Sequence, residues 1–156
     1  MGVEIERKFL VKSNFKKFAV KSYKIAQGFL SSNPERTVRV RIRDTQGFIT
    51  VKGKGNSSGT TRFEWEKEIS LEEATSLLAI CEPSIIEKVR FIIPATDSLY
   101  FEVDEFSGEN KGLFLAEIEL PSEDFIFEKP TWLGEEVTGN VKYYNSVLSK
   151  KPYCNW

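Results

Sequence analysis

The amino-acid sequence predicts a mainly β (α+β) protein, an antiparallel strand meander with a few flanking helices. Segments in which apolar and charged residues alternate with a period of two fill most of the 156 residues. Turn residues such as those in GNSSG (55–59) and SGENKG (107–112) separate these segments. Apolar residues recur at helical spacing in only two places. Together these observations favour a fold built mostly from short strands.

Eight segments have the strand pattern, and each is bounded by turn residues. They are VEIERKFLV (3–11), SYKIAQGFL (22–30), TVRVRIR (37–43), FITVKGK (48–54), RFEWEKEI (62–69), IIEKVRFII (85–93), SLYFEVDEF (98–106) and LFLAEIEL (113–120). Pro121 ends the last of them, because proline cannot donate to a sheet ladder. The first five segments form a meander that the first helix then interrupts.

The helix after the fifth strand begins with a capping box, in which Ser70 precedes Glu73 by three residues. Its apolar positions are Leu71, Ala74, Leu77, Leu78 and Cys81. We expect a second helix over NVKYYNSVLSKK (140–151), capped near Thr138 or Asn140, and a loop or short turn over WLGEEVTG (132–139).

Composition restricts the classes of partner. The 22 Lys and Arg residues nearly balance the 23 Asp and Glu residues, so a nucleic-acid or membrane surface is not indicated. No apolar run approaches the roughly 18 residues of a membrane span, and the start MGVEIE is unlike a secretory signal. We expect one domain in the cytoplasm, with no nucleic-acid or membrane partner, and leave open whether it forms a homodimer.

The chain contains no histidine, which excludes catalytic triads based on that residue and the usual zinc site. Cys81 and Cys154 are too few for a disulfide scaffold, and we interpret both as free thiols. Any metal site must therefore use oxygen ligands, which suit Mg²⁺, Mn²⁺ or Ca²⁺.

The charged faces of the strands hold neighbours of the same sign. Arg39 and Arg41 share a face, as do Glu117 and Glu119. A single such strand is best explained by a solvated face, but aligned like charges repel each other unless opposite charges lie among them. Eight strands are enough to close a barrel around a small ligand. A sandwich with its charged faces in water remains equally compatible with these residues alone.

Seven motifs, in order along the chain, resemble the CYTH family of triphosphate tunnel metalloenzymes. They are Glu4-x-Glu6-x-Lys8, Arg39-x-Arg41, Lys52 in TVKGK, Glu64-x-Glu66, Lys88-x-Arg90, Asp104 in EVDEF and Glu117-x-Glu119. The resemblance implies a single CYTH-like domain over residues 1–156, folded as an eight-stranded antiparallel barrel. The charged faces would then point inward and line a tunnel.

The resemblance also implies roles for these residues in binding a triphosphate. The phosphoryl oxygens would contact Lys8, Arg39, Arg41, Lys52, Lys88 and Arg90. A Mg²⁺ or Mn²⁺ ion would be held by Glu4, Glu6, Glu117 and Glu119. Glu64 and Glu66, with Asp104 as a further metal ligand, would position a second ion or the attacking water, and Lys8 and Lys88 join those two glutamates as catalytic candidates. Five residues share the inward parity without a clear role, because strand ends can emerge from a tunnel: Arg43, Lys54, Arg62, Glu68 and Glu102.

The compact bacterial-type members of this family look like inorganic tripolyphosphatases, so we expect metal-dependent hydrolysis of tripolyphosphate to pyrophosphate and phosphate. The alternatives are a thiamine triphosphatase, a class IV adenylyl cyclase, and a module that binds polyphosphate or a nucleotide without turnover. One departure from the family pattern is Phe29, where the resemblance leads us to expect a tyrosine in QGYL.

Overall fold

The computed structural model describes residues 2–156, which form a closed antiparallel barrel. The sheet contains nine strands in the order β5-β4-β3-β2-β6-β7-β8-β1-β9, and an additional pairing joins β5 to β1. The strands are β1 (Gly2–Val11), β2 (Lys21–Ser31), β3 (Arg36–Arg43), β4 (Gln46–Gly53), β5 (Thr61–Ile69), β6 (Glu82–Pro94), β7 (Tyr100–Phe106), β8 (Phe114–Glu119) and β9 (Leu133–Glu136). All eight predicted strands are confirmed.

Strand β1 closes the barrel by pairing with a different neighbour along each half of its length. Gly2 to Ile5 pair with β5, and Glu6 to Leu10 pair with β8. Closure leaves no free edge between the first and last strands of the barrel. This topology confirms the barrel and excludes the sandwich.

The segment WLGEEVTG was expected to be a loop, and this prediction is wrong for its first half. Residues 133–136 form β9, which pairs with Phe9 and Val11 at the end of β1. The segment contains a glycine and two glutamates, so its sequence shows no apolar alternation. The strand forms because β5 pairs with β1 only as far as Ile5, so the edge of β1 opposite β8 offers unpaired backbone groups around Phe9.

The helices are shorter than the sequence predicted. Helix α1 spans Leu71–Leu78 and has the predicted capping box at Ser70. The C-terminal segment forms a single 3₁₀ turn, Val141–Tyr143, and a short helix α2, Asn145–Leu148. The extended backbone of Tyr144 (φ −70°, ψ 135°) separates the two. Within residues 2–156 no helix has the length and hydropathy needed to cross a membrane.

The larger apolar core lies on the outside of the barrel. Phe9, Phe101 and Ile118 on β1, β7 and β8 are at most 2% exposed. The segments that follow β1 and β8 cover them with Phe15, Phe127 and Trp132 among other residues. Loop segments therefore bury the outward apolar face that two short helices leave uncovered.

A second apolar cluster fills one end of the barrel interior. Leu10, Ile86, Phe106 and Leu115 have the same strand parity as the inward charged residues, and Leu148 of α2 packs among them. Leu148 is completely buried. We call this cluster the apolar plug, and it closes the barrel at the end covered by α2.

Candidate active site

The remaining interior is a cavity of about 290 Å³ lined by side chains of both charges. Twelve of the thirteen sequence-predicted site residues line it: Glu4, Glu6, Lys8, Arg39, Arg41, Lys52, Glu64, Glu66, Lys88, Arg90, Glu117 and Glu119. Asp104 is the exception. Of the five inward-parity residues without a clear role, Arg43, Arg62 and Glu102 line the cavity, whereas Lys54 and Glu68 do not.

The arginines of β3 form one side of the cavity. Arg39 and Arg41 are nearly buried, with only 14% and 9% of their side chains exposed. Burial lowers the pKa of Arg41 to about 9, and the neighbouring charges of Arg39 and Arg90 act in the same direction. The buried Nε atoms of Arg39 and Arg41 have no hydrogen-bond partner. Desolvated guanidinium groups with an unsatisfied donor of this kind favour binding of an anion.

Glu66 on β5 faces these arginines across β4. Its carboxylate lies 3.6 Å from Arg39 and 3.7 Å from Arg41, and Thr50 Oγ1 donates a 2.7 Å hydrogen bond to it. Although burial opposes the change, the Thr50 hydrogen bond and both arginines lower the pKa of Glu66. Sequence reasoning missed Thr50, even though it shares the parity of Lys52.

Asp104 lies between two cations behind the cavity wall. Its oxygens accept from Arg90 Nε and Nη2 at 2.8 and 2.9 Å, and from Lys88 Nζ at 2.7 Å. Burial opposes ionisation of Asp104, but Arg90 and Lys88 outweigh it and lower the pKa of the carboxyl group. Both oxygens are thus engaged, and this carboxylate orients Lys88 and Arg90 within the wall.

For Lys88, burial outweighs the neighbouring opposite charge, because its side chain is only 1% exposed. Desolvation lowers its pKa to about 8, and the attraction of Asp104 offsets this only in part. A cation held in so little water interacts strongly with any anion that enters the cavity.

Glutamates of β1, β5 and β8 form the acidic side of the cavity. Glu6 pairs with Glu119 across the strands, and Lys8 pairs with Glu117. Burial and the nearby charge of Glu6 raise the pKa of Glu117. Burial and the charges of Glu4 and Glu64 raise the pKa of Glu119. These carboxylates therefore repel one another where no cation is close enough to neutralise them.

This set of donors fits a hard divalent cation. Among residues 2–156 no three carboxylate or thiol side chains are already gathered into a metal site. Magnesium needs few protein ligands, because it is commonly held by one or two carboxylates together with waters and substrate phosphates. Glu6, Glu117 and Glu119 meet that requirement. Glu4 is less available, since it lies 2.9 Å from Lys52 Nζ.

The segment between β9 and α2 forms the wall near Lys8. Lys8 Nζ donates to the carbonyl oxygen of Tyr143 at 3.3 Å and lies 5.2 Å from the centre of the Tyr144 ring. Gly59 approaches Gly139 so closely that an added Cβ would lie 2.4 Å from the Gly139 Cα. Both glycines also have positive φ (75° and 77°), so both the lack of space and the backbone conformation exclude larger residues.

Sequence reasoning did not identify several lining residues of this segment and of α2. They include Thr138, Gly139, Asn145 and Ser146. Their positions depend on how the C-terminal segment folds back over the barrel, which strand periodicity does not encode. Phe29, which replaces the expected tyrosine, also lines the cavity and is 5% exposed.

The CYTH domain family model matches residues 2–151. The chain is 45% identical to an inorganic triphosphatase from Acetivibrio thermocellus over 157 aligned positions, which cover 100% of this chain and 99% of that protein. It is 36% identical to an inorganic triphosphatase from Nitrosomonas europaea, with 94% and 96% of the two chains covered.

Solved structures agree with this relationship. The crystal structure of the inorganic triphosphatase NE1496 superposes with a TM-score of 0.66 at 34% identity, covering 96% of this chain and 95% of that one. A putative adenylyl cyclase from Hippeastrum, described as having a dominant triphosphatase activity, has a TM-score of 0.60 at 18% identity and supports the fold alone. The aligned region covers 76% of this chain and 80% of the Hippeastrum chain. The chain belongs to the CYTH domain family.

Proposed function

We propose that this protein is a divalent-metal-dependent inorganic triphosphatase that hydrolyses tripolyphosphate to pyrophosphate and phosphate. The observation that carries the proposal is a single cavity with cations on one side and mutually repelling carboxylates on the other. A triphosphate needs cations around its oxygens, whereas carboxylates approach it only through metal ions. A pure anion-binding module would have no use for the acidic side.

The basic residues bind and orient the substrate in this proposal. Arg39 and Arg41 contact phosphoryl oxygens from β3, while Lys88 and Arg90, oriented by Asp104, contact them from β6. Lys8, fixed by the Tyr143 carbonyl, and Lys52 complete the basic set. Water attacks a terminal phosphorus atom, the bridging P–O bond breaks, and pyrophosphate leaves with the electron pair of that bond.

Glu6, Glu117 and Glu119 would hold a Mg²⁺ or Mn²⁺ ion, with Glu4 released from Lys52 as a fourth ligand. When bound, the ion supplies positive charge that neutralises phosphoryl oxygens during the displacement. Glu64 and Glu66 lie on β5 and are proposed to position the attacking water or a second ion. Asp104 is proposed to act through Lys88 and Arg90, since both its oxygens are already engaged.

The relatives support inorganic triphosphate as the substrate, because two of them are named inorganic triphosphatases. Most of the cavity lining is charged or polar, and Phe29 and Tyr144 are its only aromatic residues within the described chain. Their rings are the only ones there on which a nucleobase or thiazolium ring could stack. The proposal retains the cytoplasmic location expected from the sequence.

The test is a phosphate-release assay with tripolyphosphate, thiamine triphosphate, ATP and pyrophosphate, each with Mg²⁺ and with Mn²⁺. We expect the highest kcat/KM for tripolyphosphate and no turnover in excess EDTA. Full turnover in EDTA would contradict the metal site, and a preference for ATP or thiamine triphosphate would contradict the assigned substrate. Metal-dependent binding without phosphate release would support a binding module instead.

A further inference from the structure

Asn145, the first residue of α2, has an amide whose orientation is determined by its neighbours. Its Oδ1 lies 2.9 Å from Lys88 Nζ and 2.9 Å from Gln27 Nε2. An ammonium group has only donors, so the Asn145 atom that faces Lys88 must be the oxygen. The same atom then accepts from Gln27, and the Nδ2 group of Asn145 must point away from both.

The buried amide of Gln27 supports this orientation. Gln27 is fully buried, and its Oε1 has no hydrogen-bond partner. Leaving a buried acceptor unsatisfied is costly. Rotating the Gln27 amide would place Oε1 against the Asn145 oxygen, so the arrangement persists only because Lys88 determines which Asn145 atom faces inward.

The Nδ2 group of Asn145 is left without a partner in the described chain. Asn145 lines the charged cavity, yet its Nδ2 donates no hydrogen bond to residues 2–156. It is not among the buried unsatisfied atoms of the structure, so it keeps some exposed surface on a residue that lines the cavity. Two N–H donors are therefore available beside Lys88, where the cavity meets the apolar plug.

We propose that Asn145 is a substrate-binding residue whose Nδ2 donates to a terminal phosphoryl oxygen at the plugged end of the barrel. The inference rests on the proposed triphosphatase function and adds an uncharged residue to a site otherwise described by its charges. A neutral donor suits this position, because Lys88 and Arg90 already share one buried carboxylate. A further cation would leave their charges less balanced.

The test compares Asn145→Asp and Asn145→Ala with the parent protein. Asn145→Asp keeps Oδ1 for Lys88 and Gln27 but replaces the donor with an anionic oxygen, whereas Asn145→Ala removes both the donor and Oδ1 without adding charge. We expect the affinity for tripolyphosphate, measured calorimetrically without metal, to fall roughly 10- to 100-fold in Asn145→Ala and further in Asn145→Asp. KM should rise more than kcat falls.

Asn110→Asp is the matched control. Asn110 is 5% exposed, and its Oδ1 accepts a 2.8 Å hydrogen bond from the backbone of Tyr153, but it does not line the cavity. This variant should bind tripolyphosphate within about twofold of the parent. Thermal unfolding of all variants shows which are folded, and Asn145→Ser, which retains a hydroxyl donor, should recover part of the lost affinity.

The inference is overturned if the folded Asn145 variants bind tripolyphosphate like the parent. It is equally overturned if only Asn145→Asp loses affinity, because added charge would then explain the effect, or if Asn110→Asp loses as much. Should Asn145→Ala not fold, Asn145→Ser and Asn145→Asp decide the question. A parent protein that does not hydrolyse tripolyphosphate at all would instead contradict the proposed function.

Discussion

The middle and the plugged end of the barrel interior are built by the same strands and differ completely in chemistry. Moving two residues along a strand keeps the side chain inside but changes its character, from Lys8 to Leu10 on β1 and from Lys88 to Ile86 on β6. Asp104 and Phe106 on β7, and Glu117 and Leu115 on β8, differ in the same way.

This difference shows that the inward-facing residues of a strand are not all charged. The apolar plug excludes water from the end of the cavity, and the centre of the Phe106 ring lies 5.2 Å from Lys88 Nζ. Low hydration strengthens every charge interaction nearby and makes an unpaired charge costly. The plug therefore favours folding, whereas the charged middle opposes it until an anion and a cation bind.

The largest expected effect on stability comes from removing the centre of the plug. Leu148→Ala should lower the free energy of unfolding by about 2–5 kcal/mol, because it leaves a cavity around a completely buried side chain. Urea denaturation measures this change. Ile126→Ala, at a side chain that is 90% exposed, is the control and should change stability by less than about 0.5 kcal/mol. Equal effects of the two substitutions would contradict the role of the plug.

A substitution in the charged middle should act on activity instead. Glu6→Gln retains size but removes one charge from the proposed metal site, so kcat should fall by about 100-fold, equivalent to about 2.7 kcal/mol. Metal-free affinity for tripolyphosphate should not weaken. Glu87→Gln, an exposed glutamate beside Lys88 in sequence, should leave kcat unchanged. Parental turnover and metal dependence in folded Glu6→Gln would show that Glu6 is not a ligand.

Removing a cation from the opposite side should weaken substrate binding itself. Arg41→Ala should lower the affinity for tripolyphosphate by about 1.5–3 kcal/mol, the contribution of a charged hydrogen bond. Arg7→Ala provides the comparison on the outside, where Arg7 pairs with Glu136 at 2.6 Å. Loss of that partly exposed pair should reduce stability by less than about 1 kcal/mol and leave affinity intact. An unchanged Kd in folded Arg41→Ala would contradict the basic side as the phosphate site.

The smallest effect concerns the pH dependence of stability without metal. The pKa of Glu117 is raised in the folded state by burial and by Glu6, so its protonation stabilises the fold at low pH. That contribution is lost as pH rises from the unfolded-state value through the raised pKa, and each pKa unit corresponds to about 1.4 kcal/mol. Metal-free Glu117→Gln should therefore become more stable than the parent over this range.

Denaturation of parent and Glu117→Gln between pH 4 and pH 8 measures this difference in stability. Saturating Mg²⁺ or Mn²⁺ should reverse it, because bound metal stabilises the parent through the same carboxylate. A difference that is independent of both pH and metal would mean that Glu117 is not part of a like-charged pair.

The period-two pattern was sufficient to predict the eight barrel strands and to place most of the site residues on one face of them. Alternation with a period of two depends only on backbone geometry, so the parity of Glu4, Arg39 and Glu117 was readable along the chain. It did not show that those faces point inward, since a sandwich has the same pattern. That conclusion required the resemblance of the ordered motifs, and the pairing of β1 with β5 confirms it.

Residues that act through contacts distant in sequence were harder to predict from the sequence. Asp104 lies on the inward-facing side of its strand, where a metal ligand was expected. Only the positions of Lys88 and Arg90 show that its oxygens are already engaged. Asn145 lies 57 positions from Lys88, and no spacing rule connects them. The missed strand β9 lacks alternation and forms because β1 offers it unpaired backbone groups.

The sequence by itself determined eight of the nine strands, the face on which each of their side chains lies and the absence of histidine chemistry. Each of these follows from local backbone geometry or from composition. Only the tertiary structure decided which face is interior, where the charges give way to the apolar plug, and which donors remain free inside the cavity. Those properties depend on desolvation and on pairing between distant segments, and both exist only after the barrel has closed around the C-terminal helix.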